Sequence, residues 1–196
     1  MPPPRAVARW AEETPPRFLF AVKVSRYLTH VRRLAGVGEH LPALLERLEP
    51  LRVAGKLGPL LWQLPRAFAR DDERLAAALD AFPPGLRHAL EPRHPSWLDP
   101  AVVALLRARN VALVVAGGGS SEQTADFHYV RFHGGAGAGG SYAAGELDAW
   151  ALRLRALAAA GDVYAYFNND AEGAAPRDAL GLRERLARLR GDAPVA

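Results

Sequence analysis

Cysteine is absent from this 196-residue chain. That excludes structural disulfides, thiolate catalysis and cysteine-ligated zinc or iron–sulfur centres. Lysine is nearly absent: only Lys23 and Lys56 occur, and arginine supplies the rest of the basic charge. The net charge of +4 is therefore diffuse. No block of consecutive basic residues marks a dedicated nucleic-acid surface, so nucleic acid is not the favoured partner. Long hydrophobic runs are missing too. Residues 111–116 and the arginine-interrupted 152–160 are too short to span a bilayer, and Met-Pro-Pro-Pro-Arg lacks the apolar core of a signal peptide. A soluble, cytoplasmic, single-domain protein with no membrane partner is the expectation.

What is present is a regular alternation. Apolar runs at 18–24, 57–65, 86–91, 111–116, 127–133 and 162–167 read as six strands, several of them apolar on both faces. Helical spacing of apolar residues falls at 5–13, 40–53, 71–81, 98–109, 145–160 and 176–190. Asp71 or Asp72 is placed to cap the third of these helices, and Ser96 the fourth. Residues 117–121 make a loop too glycine-rich for a helix. No hairpin dipeptide joins two strands, so a parallel sheet in a βα repeat is predicted. The strands also share an asymmetry. Their carboxyl ends are polar, with Lys23, Ser25 and Arg26 after the first, Gln63 on the second and Glu91, Arg93 and His94 on the third. Arg131 and His133 follow on the fifth, and Asn168, Asn169 and Asp170 on the sixth. One functional face at the strand carboxyl ends is what a barrel enzyme shows.

The densest chemistry lies in Glu91-Pro92-Arg93-His94-Pro95-Ser96-Trp97. Glu91 and Arg93 are two apart on a strand and share a face, which suits an anion clamp beside a carboxylate base or a structural ion pair. Trp97 fits a packing role or a stacking contact with a ligand. Lys23 has three readings: an ion pair with Glu91, an anchor for phosphate or carboxylate, or a Schiff-base nucleophile. Arg131 and His133 repeat the two-residue spacing, with the histidine a candidate general acid–base. Asn168, Asn169 and Asp170 are turn formers or donors to sugar and phosphate oxygens. His30, His94, His133, Glu91 and Asp170 are the one metal set that can be assembled. No close-spaced ligand motif supports it, so no metal or cofactor is assigned. The glycine-rich stretch 134–140 lacks the Lys-Ser/Thr of a P-loop, and no nucleophile elbow supports a serine–histidine triad.

Five segments together carry a family resemblance: FLFAVKVSRYLTH (18–30), LGPLLWQLP (57–65), EPRHPSW (91–97), YVRFHG (129–134) and YAYFNND (164–170). In order and spacing they resemble the YecE-like proteins, domain of unknown function number 72. The resemblance implies an α/β fold of the TIM-like (βα) barrel type and no established activity. Set against that family's pattern, the six strands correspond to the third to eighth of eight, making an incomplete, N-terminally truncated barrel whose open edges invite pairing into an oligomer. A family aspartate near Ala116-Gly117-Gly118 is absent. The functional expectation is an enzyme of unspecified reaction whose barrel mouth binds a small anion. Lys23, Arg93 and Arg131 would hold the anion, and Glu91 and His133 would move protons. The alternatives are a non-catalytic ligand- or nucleic-acid-binding barrel and an inactive fragment.

Overall fold

A computed structural model describes residues 2–117 and 122–191. The chain divides into two compact units, residues 1–111 and 112–196. In the first, α1 (Pro4–Glu13) leads to β1 (Phe20–Lys23), α2 (Val37–Val53), β2 (Leu57–Gln63), α3 (Asp72–Asp80), β3 (His88–Glu91) and α4 (Pro100–Ala108). In the second, β5 (Val115–Ala116), β6 (Phe127–Phe132) and β7 (Asp162–Phe167) alternate with α5 (Ala144–Ala158) and α6 (Ala174–Arg190). The strand β4 (Val111–Leu113) begins where the first unit ends. The sheets run β1-β2-β3-β4 and β5-β6-β7. The fold is thus α/β with parallel sheets of four and three strands, and no closed barrel is present among the described residues.

Parallel register is what brings the polar residues together. Lys23 lies opposite Leu61, and Gln63 opposite Glu91. All three strands therefore deliver their carboxyl ends to the same edge. Alternation then sorts the side chains. Trp62 and His88 point to the face opposite Gln63 and Glu91, where the Trp62 indole N–H donates to His88 Nδ1 at 3.0 Å and both rings stack on Phe82. In the second unit Val130 and Phe132 pack against Leu147, Ala151, Leu154 and Leu182, with Phe132 stacked on Phe167 at 4.2 Å.

Three local features differ from expectation. The predicted strand 111–116 is two short ones, interrupted at Val114. Its physical cause is a diverted donor: the Leu113 amide is donated to Thr124 Oγ1 at 2.7 Å. The polar segment after β1, given no secondary structure from the sequence, forms a π-helical turn, Tyr27–Val31, in which the Arg32 amide reaches the Tyr27 carbonyl at 2.7 Å. The helix α4 is capped by Asp99, which accepts from the Ala101 amide at 2.8 Å; Ser96 instead accepts from the Arg70 amide. Of the two candidates Asp71 and Asp72, Asp71 caps α3. Lys56, the second of the two lysines, is buried and donates to the Ala11 and Thr14 carbonyls, closing the carboxyl end of α1. Residues 118–121 of the predicted glycine loop lie outside the described residues. Among the described residues no helix is long and apolar enough to cross a membrane.

Candidate functional site

At the carboxyl edge of β1, β2 and β3 four side chains form a continuous chain. Lys23 Nζ donates to Gln63 Oε1 at 2.9 Å, and Gln63 Nε2 donates to Glu91 Oε2 at 2.9 Å. Arg93 Nε and Nη2 both donate to Glu91 Oε1, at 3.1 and 2.9 Å. The direction is fixed by its ends, because an ammonium can only donate and a carboxylate can only accept. Glu91 is 3% exposed, whereas Lys23 and Arg26 reach solvent. The carboxylate therefore acts from beneath, holding Gln63 and the Arg93 fork in place.

The π-helical turn brings His30 to this edge. Partial burial, and then the charges of Arg26, Lys23 and Arg93, hold its pKa below the ordinary histidine value, which favours the neutral imidazole. Its Nδ1 lies 2.9 Å from Thr29 Oγ1, which in turn is 3.1 Å from the Ser25 carbonyl. Arg26 has no carboxylate partner among the described residues. Lys23, Arg26 and Arg93 thus all bear on the His30 ring, and Arg93 is paired with the buried Glu91. A groove of about 530 Å³, lined by Trp10, Phe20, Val22, Leu44, Leu48 and Leu51, is bordered by Lys23 and Arg26.

The other residues singled out in this unit lie differently. Trp97 is fully buried: its Nε1 donates to the Phe68 carbonyl at 2.7 Å, and its ring meets the Phe68 ring edge-on. His94 Nδ1 contacts Ser96 Oγ at 2.8 Å and accepts from the Ser96 amide, which shapes the turn Pro95–Trp97.

In the second unit Arg131 grips Asn168, donating from Nε and Nη2 to Oδ1 at 2.9 and 2.6 Å. Tyr129 and Tyr166 stack 5.2 Å apart on the face that also carries Arg131, by strand alternation. Burial first, and then Tyr164, push the Tyr166 phenol up to about 12. Asn169 is buried and braces the fold, donating to Asp178 Oδ2 at 2.6 Å and to the Gly140 carbonyl at 3.1 Å. The same Asp178 oxygen accepts the Tyr142 amide. Asp170 is exposed and precedes the short turn Ala171–Gly173; His133, also exposed, follows β6. A smaller cavity of about 340 Å³ lies among Gly117, Gly134, Tyr142, Glu146, Trp150 and Arg153. Among the described residues no cluster of three histidine or acidic side chains has the placement to hold a metal.

Sequence reasoning placed His30 in a metal set and did not give it a place beside Lys23. The signal was present in Ser25 and Thr29, four apart and preceding the histidine, a spacing at which a hydroxyl bonds back to a helical carbonyl. Tyr129 and Tyr166 carried no signal beyond strand propensity.

A parallel α/β protein with its polar residues gathered at the strand carboxyl ends is the class that fold and site define. Within that class, the model of the family described as "Protein of unknown function DUF72" matches residues 1–195, and the chain belongs to that family. It is 32% identical over 98 residues to the UPF0759 protein YecE of Escherichia coli K12. That alignment covers 50% of this chain and 35% of the relative, so the matched stretch spans about a third of the curated protein. Two solved structures share the fold. A DUF72 family protein of Thermotoga maritima MSB8 superposes with a TM-score of 0.80 at 24% identity, over 98% of this chain and 81% of the other. A DUF72 family protein of Enterococcus faecalis V583 gives 0.78 at 24% identity, over 94% and 80%.

Proposed function

We propose that the chain binds a small phosphate- or carboxylate-bearing anion at the carboxyl ends of β1, β2 and β3. The observation that carries this reading is the gathering of Lys23, Arg26 and Arg93 around His30, with Arg93 fixed by the buried Glu91 carboxylate. Charge-assisted bonds from a fixed guanidinium fork are the strong, geometrically selective way to hold such a group. Gln63 and Glu91 set the positions of the donors, and the neighbouring groove leaves room for the rest of a ligand. In the second unit, Arg131 with Asn168 is the corresponding candidate anion contact and His133 the candidate proton carrier. The reading belongs with a single-domain protein of the TIM-like (βα) barrel type, which the βα alternation supports, and with a cytoplasmic location. Pairing of open sheet edges into an oligomer belongs to the same proposal.

The experiment is calorimetric titration with inorganic phosphate of the wild type, Lys23→Met, Arg93→Met and, as a control, Arg109→Met, whose partner Asp80 lies on α3. Loss of one charge-assisted contact is worth about 1.5 kcal/mol, so affinity should fall about tenfold in the first two variants and stay unchanged in the control. Equal affinity in all four proteins would reject the site. A non-catalytic nucleic-acid reading is separated by salt: binding of a DNA or RNA duplex falling steeply with salt concentration would favour it.

A further inference from the structure

We propose that His30 is the proton acceptor of this anion site, presenting an unprotonated Nε2 while Thr29 holds its Nδ1–H. The inference rests on the anion-site reading and adds chemistry to it. It starts from the π-helical turn Tyr27–Val31, a rare conformation that is frequent at functional sites. The turn places a fully buried threonine beside the histidine. The Thr29 hydroxyl proton is directed at the Ser25 carbonyl, four residues back. With the oxygen then left to accept, the proposal assigns the donor role in the 2.9 Å contact to the imidazole Nδ1–H. A neutral imidazole with its proton on Nδ1 has its lone pair on Nε2. That atom has no protein partner among the described residues.

The charged groups facing the ring are Lys23 from β1, Arg26 at the entry to the turn and Arg93 after β3. Tyr27, on the same turn, lies edge-on to His40 of α2. The cations disfavour an imidazolium until an anion arrives to offset them, which makes proton acceptance contingent on ligand. The step is a transfer from an O–H of the ligand, or of a water held beside it, to Nε2. The O–H bond breaks, its electron pair stays on oxygen, and the developing negative charge faces the three cations. The ligand class is therefore an anion with an adjacent hydroxyl or a bound water.

The test is long-range proton–nitrogen NMR of the histidine rings in the whole chain, with inorganic phosphate as the probe and calorimetry alongside to report binding. The expected result is an Nδ1–H tautomer for His30 at neutral pH, with Nε2 moving and the ring pKa rising as phosphate saturates. Thr29→Val, which keeps the shape and removes the hydroxyl, should move His30 to the Nε2–H tautomer while calorimetry still shows phosphate bound. An Nε2–H tautomer in the wild type overturns the proposal whatever phosphate does. So does an Nδ1–H ring that ignores phosphate when calorimetry shows it bound. Absence of any phosphate heat removes the anion site itself, and this inference with it. Calorimetry tells that failure from the other two.

Discussion

Replacing Glu91 by glutamine exchanges one carboxylate oxygen for an NH2 group and breaks the direction of the whole chain from Lys23 to Arg93. Glutamine at 91 can still accept from Arg93 through one end, but its other end is then an NH2 group facing the Gln63 NH2. Turning Gln63 over relieves that clash only by pointing its NH2 at Lys23 Nζ, another donor. One donor–donor contact must remain, and the charge that held Arg93 is gone from a site 3% exposed. The expected cost of Glu91→Gln is about 2–4 kcal/mol. Lys23→Met, at an exposed position, should cost about 1 kcal/mol or less. In the double variant Gln63 is free to turn, so the two effects should fall short of their sum by about 1–2 kcal/mol. Urea unfolding of the four proteins, with unchanged dependence on denaturant, measures that difference. Additivity within about 0.3 kcal/mol would refute the directional argument.

Two further outcomes follow from the packing. Burial lowers the His88 pKa from 6.5 to about 4, so the unfolded chain takes up a proton at higher pH than the native one. Stability is therefore full above pH 6.5 and is lost as pH falls toward 4, by about 3 kcal/mol at 1.36 kcal/mol per unit. His88→Leu should flatten most of that slope in unfolding experiments run at several pH values, leaving the smaller parts due to His30 and His128, both also lowered. At Gly161 an added Cβ would come 2.2 Å from the Asp126 carbonyl oxygen, so Gly161→Ala should destabilise by about 1–3 kcal/mol through forced backbone shift. A melting temperature unchanged from wild type would contradict that placement.

Much of the fold was legible because it depends on local pattern. Six apolar runs separated by helical spacings name a parallel α/β chain without reference to distant contacts, and residues 162–167 became β7 with the expected bounds. The break at Val114 was not legible, since it depends on Thr124, eleven residues beyond Leu113, capturing a backbone donor. The site divides in the same way. Glu91 and Arg93 do pair, as their two-residue spacing allowed, although β3 ends at Glu91 and Arg93 lies beyond it rather than on the strand. Gln63 as the link to Lys23 required the register between strands, which no single segment encodes. Asn169 illustrates the limit: its place at a strand carboxyl end suggested a ligand donor, yet the side chain is buried against Asp178 from α6. The polarity of the Thr29–His30 pair emerged only with the π-helical turn, for which the sequence carries no periodic signal.

The most direct test of the central claim is to follow the arginine Nε–H resonances during titration with inorganic phosphate. Arg26 and Arg93 should shift together, saturably and with one midpoint that matches the calorimetric affinity, while Arg109 stays still. Small shifts spread over all arginines without saturation would contradict a built anion site at the ends of β1, β2 and β3.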